Sequence, residues 1–417
     1  AKSSSQVGEG KWPFARSPNW QPDGSGFYMV VDQGANFDYL VYYDLASQEA
    51  KTIYQGNWDV EGVALSPDGK YLAFAINEDG YSLLKVMKTA DGSFLELPAM
   101  PQYVIAMMTG ASWSPDSTRL AITISAESRP MDIWMLDIPA NSFKQLTFSS
   151  YAGIQSDGFV APELHHFNSF DGLKVSTWLY RPHHAPAGPL PVVVNIHGGP
   201  EGQERPGFNA FVQYLINQGI AVVSPNVRGS TGYGKDYQHL DDVEKRMDSV
   251  ADINSLVEYI VAAGIADPQK IAVMGGSYGG YMTLSCITTY PELWAAAVDT
   301  VGMSNLETFL ENTSSYRRAH RESEYGSLEH HREVLRRVSP IYKIDRITAP
   351  LMVIHGRNDP RVPVSEAEQM VASLQQRGVE VPFLCYEDEG HGIVKLNNRL
   401  DCYPQVAAFL RKHLGIE

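Results

Sequence analysis

Short apolar runs separated by polar turns set the rhythm of the first 150 residues. Asn19-Trp20-Gln21-Pro22-Asp23-Gly24, Leu65-Ser66-Pro67-Asp68-Gly69 and Trp113-Ser114-Pro115-Asp116-Ser117 recur at spacings of 45 and 48 residues. An alternating or apolar run follows each turn: Phe27 to Val31, Tyr71 to Ile76, and Arg119 to Ile124. A second run comes next, at Tyr39 to Leu45, Ser82 to Met87 and Asp132 to Ile138. Proline presets such a turn, aspartate accepts local backbone bonds, and glycine or serine tolerates the bend. A repeat of this length, built from short strands and turns, predicts propeller blades near 14–56, 57–100 and 101–150. Three in-phase copies argue against a β-sandwich with coincidentally similar turns. Three blades do not close a ring of roughly four to eight, so residues 1–155 read as an incomplete β-propeller.

From about Glu163 the pattern changes. Leu164 to Phe170 and Lys174 to Tyr180, joined by Asp171-Gly172, predict a β-hairpin. Short apolar runs follow at Pro191–Ile196, Ile220–Pro225, Ile271–Met274, Ala296–Asp299, Leu351–His355 and Val381–Tyr386. They alternate with helical stretches such as Phe208–Gln218, Asp248–Ala263 and Val364–Gln376. That alternation predicts a mainly parallel sheet covered by helices over residues 156–417, with Ser156 to Pro162 as the crossover.

The candidate chemistry lies in this second half. Gly275-Gly276-Ser277-Tyr278-Gly279 follows the strand-like run Ile271–Met274 and opens onto a predicted helix, Tyr281 to Thr288. Roughly 0.2 matches to G-x-S-x-G are expected by chance in such a chain, so the context carries the signal. A serine hydroxyl needs a histidine to take its proton and a carboxylate to orient that histidine. Asp359 stands in the loop after Leu351–Gly356, and His391 in the loop after Val381–Tyr386. Singly they read as a solvated turn aspartate and a surface histidine. In a parallel sheet, however, both share an edge with Ser277. The order Ser, Asp, His is that of α/β-hydrolases. An acyl-transfer oxyanion needs two fixed N–H donors. Tyr278, next after the serine, offers one, and Gly199 of His197-Gly198-Gly199-Pro200 is the candidate for the other. A plain turn explains the two glycines as well; their position after an early strand favours the donor reading.

Other features narrow the picture. The net charge of −15 over 417 residues argues against nucleic acid, whose phosphates need basic patches. No apolar run has the length of a membrane span, so no membrane partner is expected. Gly229-Ser230-Thr231-Gly232-Tyr233-Gly234-Lys235 meets the P-loop spacing, but Asp236 occupies the Ser/Thr position and would repel a triphosphate. It reads as a structural loop with Arg228 as an internal ion-pair partner. The doublets His165-His166, His183-His184 and His330-His331 lack zinc-helix spacing, and no metal or cofactor is expected. Cys286, Cys385 and Cys402 read as buried free thiols rather than a disulfide scaffold, a Cys385–Cys402 pair being the alternative. The chain opens Ala-Lys-Ser-Ser-Ser without an apolar leader; a cytoplasmic location is expected, with a removed signal peptide as the alternative. The charge-rich segment Asn305 to Arg337 reads as a solvated helical insertion, from which Phe309 and Tyr316 would wall a substrate pocket.

The blocks His197–Pro200, Pro225–Gly234, Gly275–Met282, His355-Gly356-Arg357-Asn358-Asp359 and Asp388–Gly392, with Ser169–Gly172 as opening, together resemble the prolyl oligopeptidase family of serine peptidases. The acylaminoacyl-peptidase and oligopeptidase branch is the nearest likeness, strong over residues 161–417 and looser over the blades. The resemblance implies Ser277 as nucleophile, His391 as general base, Asp359 as its orienter, and Gly199 and Tyr278 as oxyanion donors. It also implies that Arg361, two residues after the acid, binds a substrate carbonyl. The chain departs from the family pattern in having about half the usual propeller and no matching Glu-Glu pair for a free amino terminus. The expectation is a peptidase acting on short peptides or acyl-peptides. The rivals are a carboxylesterase on the same scaffold and a non-catalytic binding protein that keeps the fold. The unclosed blades predict either self-association or a missing propeller fragment.

Overall fold

The computed structural model describes residues 15–416, apart from Met107, Glu127 and Pro186 and the side chains of Thr109, Ser315 and Tyr316. In its amino-terminal half the repeated turns join antiparallel strands. Strands β1 (Ala15–Trp20), β2 (Gly26–Val31), β3 (Tyr39–Asp44) and β4 (Glu49–Tyr54) pair in sequence order. A second sheet holds β5 (Val60–Leu65), β6 (Tyr71–Glu78) and β7 (Tyr81–Lys88). The third holds β8 (Tyr103–Ile105), β9 (Ser112–Trp113), β10 (Arg119–Ala126), β11 (Arg129–Asp137) and β12 (Ser142–Gln145).

The repeat is a repeat of chemistry. Gly24, Gly69 and Ser117 all take left-handed φ, at 74°, 72° and 61°. Asp68 accepts the Lys70 amide (3.1 Å) and the Ser66 hydroxyl (2.8 Å). Asp116 accepts the equivalent groups of Thr118 (3.1 Å) and Ser114 (2.6 Å). Residues flanking these turns tie each sheet to the next. Asn19 donates to the Val63 carbonyl (3.2 Å), and the Trp113 indole donates to the Ala64 carbonyl (3.0 Å). Tyr28, Val30, Leu40, Leu72 and Phe74 fill the apolar space between the first two sheets.

The chain divides later than the expected boundary at 155. The first unit runs to Ala161 and also takes in Arg205–Asn209 and Gly232–Asp236. Those two segments are held there by polar contacts that no apolar pattern signals: Lys235 pairs with Asp32 at 2.8 Å, and Arg205 with Glu61.

The second unit is built on a sheet of β13 (Glu163–Asn168), β14 (Lys174–Tyr180), β15 (Leu190–Ile196), β16 (Ala221–Asn226), β17 (Ala266–Gly276), β18 (Ala296–Thr300), β19 (Leu351–Gly356) and β20 (Phe383–Tyr386). Their order is β13-β14-β16-β15-β17-β18-β19-β20. The β13–β14 hairpin and the β14–β16 pair are antiparallel, and every pairing from β16–β15 onward in that order is parallel. The helices are α1 (Ala210–Asn217), α2 (Lys235–Gln238), α3 (Arg246–Ala262), α4 (Tyr278–Thr289), α5 (Leu306–Asn312), α6 (Ser315–Tyr325), α7 (Arg332–Val338), α8 (Ser365–Gln376) and α9 (Leu396–His413). β16 and β19 are buried along their whole length, which is why their sequences run apolar instead of alternating. Arg228 is the internal ion-pair partner that the sequence suggests, clamped by Asp252 (2.8 Å) and Asp171 (2.9 Å). Among the described residues, no helix is long and apolar enough to cross a membrane.

Candidate active site

Parallel strands deliver their carboxyl ends to one edge of a sheet, where loops are free to carry chemistry. Ser277 follows β17 directly, Asp359 comes three residues after β19, and His391 five after β20. The turn at Ser277 is sharp: φ 59° and ψ −117° place a non-glycine residue in a strained region. Close packing explains the glycines around it. A Cβ on Gly275 would lie 2.7 Å from the Ile196 carbonyl oxygen, and one on Gly279 would lie 2.0 Å from the same atom. The elbow is thus pressed against the end of β15, and only glycine fits there. The Ser277 amide donates to the Thr300 carbonyl at 2.9 Å, anchoring the turn to β18.

His391 Nδ1 donates to Asp359 Oδ2 at 2.7 Å. That bond places the proton on Nδ1 and leaves Nε2 as the basic nitrogen. Asp359 is itself held in place. Its Oδ1 accepts the amides of Arg361 (2.8 Å) and Val362 (3.0 Å), and its carboxylate is fully buried. Burial pushes its pKa up, but the hydrogen bonds from His391, Val362 and Arg361 outweigh it and hold the group below the ordinary carboxylate range. Among the described residues no hydrogen bond joins Ser277 to His391. In serine hydrolases that contact commonly tightens only with substrate present.

The donor candidates sit next to the serine. A Cβ on Gly198 would touch Ser277 Cβ at 3.3 Å, so the His197–Pro200 loop lies against the elbow. Gly199 has φ 149°, and a Cβ there would lie 2.6 Å from the Glu201 nitrogen. His197 stiffens this loop: Nδ1 donates to the Gly198 carbonyl and Nε2 lies 2.9 Å from Ser230 Oγ. Tyr278 is the first residue of α4, where backbone N–H groups have no partner within the helix. Arg361 is exposed beside Asp359.

Two expectations are corrected. Phe309 does not wall an open pocket. It is 1% exposed, packed edge-on against Tyr325, because α5 turns its apolar face into the core. Nor is the 305–337 segment a solvated insertion throughout. Glu307 and Glu324 are buried, bound by Arg332, Arg336 and Tyr342 in one case and by Arg246 in the other. Tyr316 lies outside the described side chains. All three cysteines are free, Cys286 and Cys402 buried and Cys385 partly so. The sequence reading also missed two residues that hold the Asp359 and His391 loops. His355 Nε2 donates to the Val362 carbonyl (3.0 Å) beneath Asp359. Glu389 accepts the Lys395 amide (2.8 Å) and the Asn398 side chain (2.9 Å), closing the His391 loop onto α9. Its place inside Asp388–Gly392 was the one available signal.

An apolar cavity of about 200 Å³ lies under the elbow, between Met274–Gly276 on the sheet, Phe211 of α1, and Cys402 and Val406 of α9. Among the described residues its polar lining is Asn195, Thr300 and Tyr403, with no charged side chain.

The strand order, the elbow and the loops after β19 and β20 define an α/β-hydrolase preceded by a partial propeller. The profile of the prolyl oligopeptidase family matches residues 206–417, and the chain belongs to that family. It is 30% identical to dipeptidyl peptidase family member 6 of Caenorhabditis elegans, over 94% of this chain and 56% of that protein. Identity to dipeptidyl aminopeptidase BIII of Pseudoxanthomonas mexicana is also 30%, covering 94% and 58%. Among solved structures, a puromycin-hydrolyzing peptidase of Mycobacterium tuberculosis superimposes with a TM-score of 0.88 at 25% identity, covering 97% of this chain and 62% of that one. The chain therefore spans less than two thirds of the length of these relatives.

Proposed function

We propose that the chain is a serine peptidase that cleaves short peptides or acyl-peptides through an acyl-enzyme. The observation that carries this reading is the Asp359–His391 hydrogen bond at the same sheet edge as the strained Ser277. In the proposed reaction Ser277 Oγ attacks the scissile carbonyl carbon as His391 Nε2 takes the hydroxyl proton. The N–H groups of Tyr278 and Gly199 stabilise the oxyanion. Collapse breaks the C–N bond, and His391 returns the proton to the leaving amine. Water then attacks the ester by the same route, releasing acid and free serine. Asp359, kept ionised by its three donors, stabilises the imidazolium formed in each half-reaction. The relatives' names, dipeptidyl peptidase and dipeptidyl aminopeptidase, support peptide substrates.

Arg361 is proposed to bind a substrate backbone carbonyl with its planar fork. Its backbone N–H supports Asp359, but its side chain is exposed. Arg361→Ala should lower kcat/KM for peptides by roughly ten- to a hundred-fold, the loss of one hydrogen bond to a charged donor. A small nitrophenyl ester, which lacks that carbonyl, should lose far less. Equal losses on both substrates would assign Arg361 to support of the triad loop, and would favour the carboxylesterase reading.

The proposed partners include further polypeptide. Met131, Ile133, Leu146 and Phe148 of the third blade are exposed, an apolar set suited to covering by additional blades or a second copy. Size-exclusion light scattering with intact-mass analysis separates these cases. A stable, active 46.2 kDa monomer would sink both.

A further inference from the structure

Tyr278 presents its backbone N–H at the start of α4, and its side chain is fully buried. The hydroxyl is held by three groups. It donates to Asp241 Oδ2 (3.0 Å), accepts from Arg246 Nη1 (3.0 Å), and lies 3.0 Å from Ser249 Oγ. Arg246, 1% exposed, also pairs with Asp241 through Nη1. Its other terminal nitrogen reaches α6, donating to the Glu324 carbonyl (2.9 Å) and to the Glu324 carboxylate. The guanidinium lies over the rings of Tyr278 and Tyr325, at 5.3 and 4.9 Å from their centroids. One turn back on α6, Arg321 Nη1 makes a longer contact, 3.4 Å, to the Gly199 carbonyl oxygen. A single polar helix thus reaches both candidate donor residues, Gly199 through Arg321 and Tyr278 through Arg246.

Stability alone gives little reason for this arrangement. Buried ion clusters are often replaced by apolar residues without loss, because desolvation offsets their attraction. Asp241, Asp242 and Glu324 converge closely enough to suggest a cation site, but Arg246 already supplies the positive charge between Asp241 and Glu324. What such a cluster supplies is fixed geometry. An oxyanion donor displaced by a fraction of an ångström stabilises the transition state less while leaving ground-state binding nearly intact.

We propose that α6 is a brace for the oxyanion site: Glu324, acting through Arg246, fixes Tyr278, while Arg321 steadies the Gly199 loop. This deepens, and rests on, the serine peptidase reading. Glu324, Arg246 and Arg321 touch no reacting atom and are positioning residues.

The test uses the full chain as wild type, Glu324→Gln and Tyr278→Phe. Tyr278→Phe removes only the hydroxyl, keeps the backbone N–H and leaves each charge paired, so it covers the case in which Glu324→Gln fails to fold. Competent serines are counted by fluorophosphonate labelling run to completion. Then kcat per labelled serine, KM, and inhibition by a peptide aldehyde, whose hemiacetal oxygen takes the oxyanion position, are measured. Both variants should lose about 10–100-fold in kcat per labelled serine, with KM little changed and aldehyde affinity falling in parallel. If only the number of labelled serines or the Tm falls, with kcat per labelled serine equal to wild type, the brace is overturned and the cluster is structural. If wild type itself fails to label at Ser277, the peptidase reading fails first and takes the brace with it.

Discussion

Ser277→Ala should lower turnover by about four to six orders of magnitude without lowering the Tm, because the side chain is a reactant and supports no other group. Among the described residues its hydroxyl makes no hydrogen bond, and the elbow is held by the Ser277 amide and the glycine contacts, which alanine leaves in place. His391→Ala should be almost as damaging, since serine and histidine act as one unit and their losses do not add. A fluorophosphonate should label wild type at Ser277 alone. The pH profile carries a further sign. Asp359 is held below the usual carboxylate range, so it stays ionised under mildly acidic conditions. The Asp359–His391 hydrogen bond is then kept in the mildly acidic range, and protonation of Asp359 is not the source of any loss of kcat/KM there. Measurable turnover in the alanine variant, or a label on another residue, would remove the mechanism.

The candidate residues Ser277, Asp359 and His391 stand out in the sequence because each follows an apolar run that ends in glycine and polar residues. Such endings mark the carboxyl edge of a buried parallel strand. The blades were legible for a similar local reason: aspartate and a left-handed residue close each turn with their own neighbours. What stayed hidden depends on partners distant in the chain. Glu324 reads as one more charge on a polar helix until Arg246, 78 residues away, is seen beside it. Phe309 reads as a pocket wall because nothing local says which face of α5 meets the core. His355 reads as the last apolar-flanked residue of β19, yet its ring bonds to the Val362 carbonyl seven residues on. The place of Gly232–Asp236 in the first unit stayed hidden likewise, since Lys235 and Asp32 lie 203 residues apart. Local chemistry announces itself; pairing across the fold does not.

Arg228 offers the sharpest stability test, because two aspartates hold it at nearly equal distance but differ in burial and in the further donors each accepts. Asp252 lies 2.8 Å away with its side chain fully buried, whereas Asp171 lies 2.9 Å away with 42% of its side chain exposed. Distance alone would predict equal contributions. Burial predicts otherwise. Asp252 also accepts the Arg228 amide (2.9 Å) and the Ser169 hydroxyl (2.5 Å), so its removal strands three donors away from water. Asp252→Ala should destabilise the second unit by about 3–5 kcal/mol, the range for breaking a buried ion pair from one side. For a domain of this size that is a fall in Tm of roughly 6–20 °C. Asp171→Ala should lose less than about 1 kcal/mol, because water replaces a half-exposed carboxylate at small cost. Asp248, 3.9 Å from Nη1, approaches the guanidinium from the exposed side and cannot replace the bonds to Nε and the Arg228 amide. Chemical denaturation of the two variants reads the difference directly. Similar losses for both would mean that solvent reaches Arg228 from the Asp252 side, and that this charge is not buried as the structure shows.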